Sequence, residues 1–65
     1  MIWRYDLYVD DPTPVFEWLE ENVKPALVRK IAYEVKLRNQ WFMKVVVDTE
    51  EAAQAFHARW GGNRN

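Results

Sequence analysis

From Ile2 to Val9 the chain alternates, with Trp3, Tyr5, Leu7 and Val9 pointing one way and Ile2, Arg4, Asp6 and Tyr8 the other. Period-two alternation carried by aromatic and β-branched residues predicts a strand. Asp10-Asp11-Pro12-Thr13-Pro14 interrupts it and opens a helix, with Asp11 or Thr13 as the capping residue and a proline in the first turn, where its missing N–H has no partner to lose. Val15, Phe16, Leu19 and Val23 then fall on one helical face, Trp18 at its margin, and Glu17, Glu20 and Glu21 on the opposite side. The helix is expected to run through about Val23 and to be stopped by Pro25.

Residues 27–38 fit two patterns. Leu27, Val28, Ile31, Ala32 and Val35 make a helical stripe, whereas Ile31, Tyr33, Val35 and Leu37 alternate with Lys30, Ala32, Glu34, Lys36 and Arg38 as in a strand. The strand is preferred. A short turn at Arg38-Asn39-Gln40 follows, Asn being tolerant of left-handed backbone angles. Trp41–Val47 is a second β-rich run, so the pair reads as a hairpin. A final helix begins at Asp48 or Thr49, with Glu51 three residues after Asp48 as in a capping box. Ala52, Ala53, Phe56 and Trp60 form its apolar face, Gly61 ends it, and residues 61–65 are a short tail.

The order β-α-β-β-α in one domain, 1–65, constrains the topology. A right-handed crossover between the first two strands leaves room between them for the third. The expected product is an α+β sandwich: a three-stranded antiparallel sheet ordered first, third, second, with two helices on one face. This is a ferredoxin-like arrangement lacking its last strand. Trp3, Tyr5, Leu7, Phe16, Leu19, Tyr33, Val35, Val45, Phe56 and Trp60 form the expected core. One sheet face stays uncovered, and the first strand is an unpaired edge.

Composition sharpens this reading. Four Trp, three Tyr and three Phe stand among 65 residues that include no Cys, no Ser and one His. A domain this small buries only ~60% of its unfolded surface. With no disulfide and no Cys/His metal cluster to help, buried aromatics of ~150–250 Å² each must supply the stability. The net charge of −1 hides a segregation: residues 1–27 carry −4, residues 28–47 carry +4 and the remainder −1. Such a split can guide a partner without making the whole chain basic. Met1-Ile2-Trp3-Arg4 lacks the pattern of a secretory signal and no apolar run has membrane-spanning length, so a cytoplasmic protein without membrane contact is expected.

Catalytic chemistry has few carriers. Ser and Cys nucleophiles are absent, and Thr13 and Thr49 stand where helix caps belong. His57, on the last helix, has no orienting partner or co-ligands in the sequence pattern. The acids at the two helix starts are accounted for by the helix dipole, and Gly61-Gly62 follows a helix rather than opening one, so it is no phosphate-binding loop. A non-enzymatic chain without cofactor or metal is expected.

Two surfaces remain as candidates for binding. Asp10, Asp11, Glu17, Glu20 and Glu21 form an acidic surface able to meet Lys and Arg of a groove built for phosphates, although a solvated helix face has the same composition. The uncovered sheet face offers Ile2, Arg4, Asp6 and Tyr8 from the first strand, Phe42, Lys44 and Val46 from the third, and Lys30, Ala32, Glu34, Lys36 and Arg38 from the second. Arg4, Tyr8, Phe42 and Lys44 are its candidate contacts. Aromatics on the first and third strands are where RNA recognition motifs stack bases. The segment Asn39-Gln40-Trp41-Phe42-Met43-Lys44-Val45 lacks the glycines of the corresponding motif. Self-association of the outer sheet face, or of the first-strand edge, is the structural alternative.

Thr49-Glu50-Glu51-Ala52-Ala53-Gln54-Ala55-Phe56-His57-Ala58-Arg59-Trp60-Gly61, following an apolar strand, resembles the ending of many small proteins encoded by tailed phages. Phe16-Glu17-Trp18-Leu19-Glu20-Glu21-Asn22 is in the same style. The resemblance covers about a third of the chain, rests on structural residues and transfers no site. It implies host takeover or anti-defence activity of the anti-CRISPR type. On that reading the protein binds a bacterial host protein or protein–nucleic-acid complex through its acidic surface, as a monomer or homodimer in the host cytoplasm. A single-stranded nucleic-acid binder using the sheet face is the alternative.

Overall fold

The computed structural model describes residues 2–61 and, as backbone, residues 63 and 64. Its elements are β1 (Trp3–Val9), α1 (Thr13–Asn22), β2 (Val28–Val35), β3 (Gln40–Val47), α2 (Glu50–Trp60) and β4 (Asn63–Arg64), with 3-10 turns at Pro25–Leu27 and Lys36–Arg38. β1 and β2 both pair antiparallel with β3, so the expected order of first, third, second strand holds. β4 pairs antiparallel with β1 at Tyr5 and Asp6, completing the sheet order β2-β3-β1-β4. Part of the supposed tail is therefore a rudimentary fourth strand, and the edge of β1 expected to be unpaired is occupied at those two residues. The uninterrupted outer edge of the sheet belongs to β2.

The core follows from strand parity. Tyr5 and Leu7 of β1 stand opposite Val45 and Met43 of β3, and all four are buried. Val15, Leu19 and Val23 from the first helical segment and Ala53 and Phe56 from α2 join them in one cluster, with Trp3, Val9, Phe16, Trp18 and Trp60 packed at its margin. Tyr5 is the hinge of this packing. Its ring lies 5.3 Å from that of Phe56, and its hydroxyl donates to the Ala53 carbonyl at 3.2 Å, so the one polar atom of a buried side chain is satisfied. Glu17, Glu20 and Glu21 are exposed, as the helical period requires.

Local signals resolve differently from two sequence expectations. Thr13 lies inside α1 and does not cap it; the Asp11 carboxylate accepts from the Thr13 backbone N–H at 3.0 Å. At α2 the cap is Thr49, whose Oγ1 accepts from Ala52 N at 3.2 Å. Glu51 is thus one residue too early for a capping box, because the reciprocal position three residues after Thr49 is Ala52.

The larger correction concerns β2. Val28, Lys30, Ala32 and Glu34 stand opposite Val47, Val45, Met43 and Trp41, on the helix side of the sheet, while Ile31 and Tyr33 stand opposite Lys44 and Phe42 on the open side. Ile31 and Tyr33 are 57% and 49% exposed, so Tyr33 is no core residue. Val35, half-buried, lies on the open side as well, and Lys36 and Arg38 belong to the turn. The cause is loop length. A turn of Arg38-Asn39-Gln40 would close on Leu37 and Trp41, but the observed closing pair is Val35↔Gln40, which encloses the four residues 36–39. One added residue changes the parity of the partners and turns every β2 side chain to the other face. Asn39, with φ 54, supplies the left-handed residue that ends this turn.

Candidate functional site

Parity places three aromatic rings in one row across the open face. Tyr8 of β1 is opposite Phe42 of β3, and Phe42 is opposite Tyr33 of β2. Tyr8 and Phe42 have ring centroids 5.1 Å apart at 56°, and Phe42 and Tyr33 are 5.5 Å apart at 52°. These tilted contacts lie in the favoured range for aromatic pairs. Tyr8 is 44% exposed and Tyr33 49%, with Phe42 half-buried between them.

The turn after β2 adds a fourth planar group. Arg38 passes across the end of β3 and sets its guanidinium 3.8 Å from the Tyr8 ring centroid. That is stacking distance for a cation on an aromatic face. The rows beyond the aromatics carry charge: Asp6, Lys44 and Ile31 lie across the next row, then Arg4, Val46 and Arg29. Same-face rows are separated by two residues along a strand, about 7 Å. Lys44 therefore stands one row from the rings and Arg4 and Arg29 two rows away. Arg29 pairs with Asp48 at 3.8 Å, but its side chain is 68% exposed, and so open a pair leaves the guanidinium available to other anions.

Of the residues singled out from sequence, Arg4, Tyr8, Phe42 and Lys44 share this face. The structure adds Tyr33, Ile31 and Arg29 to it, keeps Arg38 there from the turn, moves Lys36 into that turn and removes Lys30, Ala32 and Glu34. Lys30 instead extends along the helix layer, its Nζ 5.9 Å from the Phe16 ring centroid. The missing members were hidden by the turn, not by their own chemistry. Counting the loop as four residues ending at Asn39 would have found them.

The acidic surface divides. Asp10 accepts from the Gln40 side chain at 3.3 Å. The Asp11 carboxyl titrates below its ordinary value of 3.8, first because the Thr13 backbone N–H donates to it and then because the Thr13 side chain does. Both therefore hold the β1–α1 connection. Glu17, Glu20 and Glu21 are exposed on α1 and make no ion pair or side-chain hydrogen bond among the described residues.

Other concavities lie on the helix layer. A shallow groove of about 430 Å³ between the end of α1 and the start of α2 is lined by residues including Lys24, Leu27, Thr49 and Glu51. His57 is exposed, its ring 5.8 Å from that of Tyr5. Among the described residues no three His, Cys, Asp or Glu side chains cluster to hold a metal ion, and no helix is long and apolar enough to cross a membrane. No protein-family model, curated protein or solved structure matches this chain.

Proposed function

We propose that the open sheet face binds a short stretch of single-stranded nucleic acid without catalysis. The observation that carries this reading is the Tyr8–Phe42–Tyr33 row with Arg38 stacked on Tyr8. Every nucleobase has a π-face, so exposed rings in a row accept successive unpaired bases whatever their sequence, at ~1–3 kcal/mol per stacked base. A duplex keeps its bases stacked on each other and gains nothing from the row. Arg4, Arg29 and Lys44, set one to two rows away, supply local positive charge for the sugar–phosphate backbone although the whole chain carries −1. The site needs no metal and no nucleophile.

Fluorescence anisotropy with labelled single-stranded RNA, single-stranded DNA and a DNA duplex tests the reading at several salt concentrations. Expected is micromolar or tighter binding of a single strand at low salt and little of the duplex. Three to four phosphate contacts predict a log–log salt slope of roughly −2 to −3. Tyr33→Ala with Phe42→Ala should abolish most of the binding. No binding of any single strand at low salt would discard the proposal.

A second reading is supported by Glu17, Glu20 and Glu21, which stand exposed on α1 with no ion pair among the described residues. A carboxylate ridge of this kind suits a basic groove in a bacterial nucleic-acid-handling protein, such as a CRISPR effector, in the cytoplasmic setting that the likeness to small tailed-phage proteins implies. Here Glu17→Lys with Glu21→Lys abolishes binding to the partner, whereas Tyr33→Ala with Phe42→Ala leaves it unchanged. The sheet-face reading requires the reverse.

A further inference from the structure

We infer that a second copy of this chain pairs with the outer edge of β2, joining two sheets into one. Among the described residues no segment pairs with that edge, whereas the opposite edge of the sheet carries β4. An edge of eight residues presents unpaired backbone N–H and C=O groups that favour addition of another strand. The side chains specify which strand. In an antiparallel pairing of β2 with its own copy about a two-fold axis through Ala32, Lys30 of each chain stands opposite Glu34 of the other. On the reverse face Ile31 stands opposite Tyr33, again twice.

The neighbouring symmetric registers are worse. Centring on Tyr33 sets Lys30 against Lys36, and centring on Ile31 sets Glu34 against Val28 and Lys30 against Ala32, so neither charge on the helix side meets its opposite. Of these registers, only the one centred on Ala32 sets Lys30 against Glu34 on the helix side and Ile31 against Tyr33 on the open side, with Arg29 opposite Val35 at the ends. Lys30 on an edge strand ordinarily repels casual strand addition. A copy offering Glu34 at that position is the partner that satisfies it. Both helix layers then lie on one side of the joined sheet, and both aromatic rows lie on the other.

Sedimentation equilibrium of the full chain, without nucleic acid and from micromolar to millimolar concentration, tests this. The expected mass rises toward twice the 7.8 kDa of one chain. Lys30→Glu or Glu34→Lys alone places like charges opposite each other in both symmetric pairs and should raise the dimer Kd about tenfold or more. Lys30→Glu combined with Glu34→Lys should restore it, and circular dichroism checks that each variant stays folded. A chain that stays monomeric throughout would overturn the inference. So would a dimer that the single changes do not weaken, or one that the double change does not rescue. The readout is mass alone, so it is separate from whether the open face binds nucleic acid.

Discussion

The Arg38 guanidinium lies 3.8 Å from the centroid of the Tyr8 ring, although Arg38 sits in the turn after β2 and Tyr8 near the end of β1, with β3 between them. The contact ties the β2–β3 turn to the far strand and leaves a planar cation at the end of a row of rings. A stacked guanidinium can extend a base-stacking surface and contact phosphate at the same time.

Removing that group should separate its two contributions. Arg38→Ala is expected to weaken single-strand binding about three- to tenfold and to flatten the salt slope by ~0.7, the loss of one phosphate contact. Arg38→Lys should keep the slope while losing the part of the affinity that depends on planar stacking. Anisotropy titrations at several salt concentrations measure both quantities.

The face to which each aromatic ring belongs predicts stability effects of different size. Phe56 is fully buried against Tyr5 and Trp18, so Phe56→Ala should cost ~3–5 kcal/mol. A chain of 65 residues has about 3–10 kcal/mol in total at typical values per residue, and this variant should be largely unfolded. Tyr33→Ala, on the open face, should cost no more than about 1 kcal/mol, losing one exposed aromatic pair. Thermal unfolding followed by circular dichroism distinguishes them; a collapse of Tyr33→Ala would return that residue to the core.

At α2 the Thr49 hydroxyl serves one otherwise unpaired backbone donor, Ala52 N–H. Thr49→Ala should destabilise by ~0.5–2 kcal/mol, and Thr49→Ser or Thr49→Asp should retain most of the cap. Glu51→Gln should cost only the ~0.3–1 kcal/mol of a first-turn charge on the helix dipole, because Glu51 does not occupy the reciprocal position of a capping box. Urea unfolding midpoints at constant slope provide the comparison.

Asp11 links stability to acid pH. Its carboxyl titrates below 3.8 in the folded chain because Thr13 donates hydrogen bonds to the ionised form. A folded value below the unfolded one means that the stabilisation is fully present above pH 3.8 and is lost as pH falls through the lower folded value. Asp11→Ala should therefore lower stability at neutral pH and converge with the parent chain under strong acid. Carbon-detected NMR titration of the Asp11 carboxyl should give a midpoint below 3.8.

The alternation in Ile2–Val9, the helical stripe Val15–Leu19–Val23 and the run Trp41–Val47 were enough to place β1, α1 and β3, and the right-handed crossover then ordered the strands. These features are legible because burial imposes a period on the sequence itself. Thr49 and Asn39 were legible for a similar reason, one as a cap and the other as a residue tolerant of positive φ.

Which face β2 turns to the core was not legible. β2 has apolar residues at both parities and β3 is apolar on both faces, so hydrophobicity did not choose between registers. The choice fell to the loop, where four residues in place of three moved Tyr33 from the core to the open face and aligned it with Phe42 and Tyr8. The approach of Arg38 to Tyr8 and the pairing of Asn63–Arg64 with β1 likewise join residues far apart in the chain. A local pattern specifies what a segment is. Only the closure of turns and the packing of strands decide which side chains meet, and the candidate site consists of such meetings.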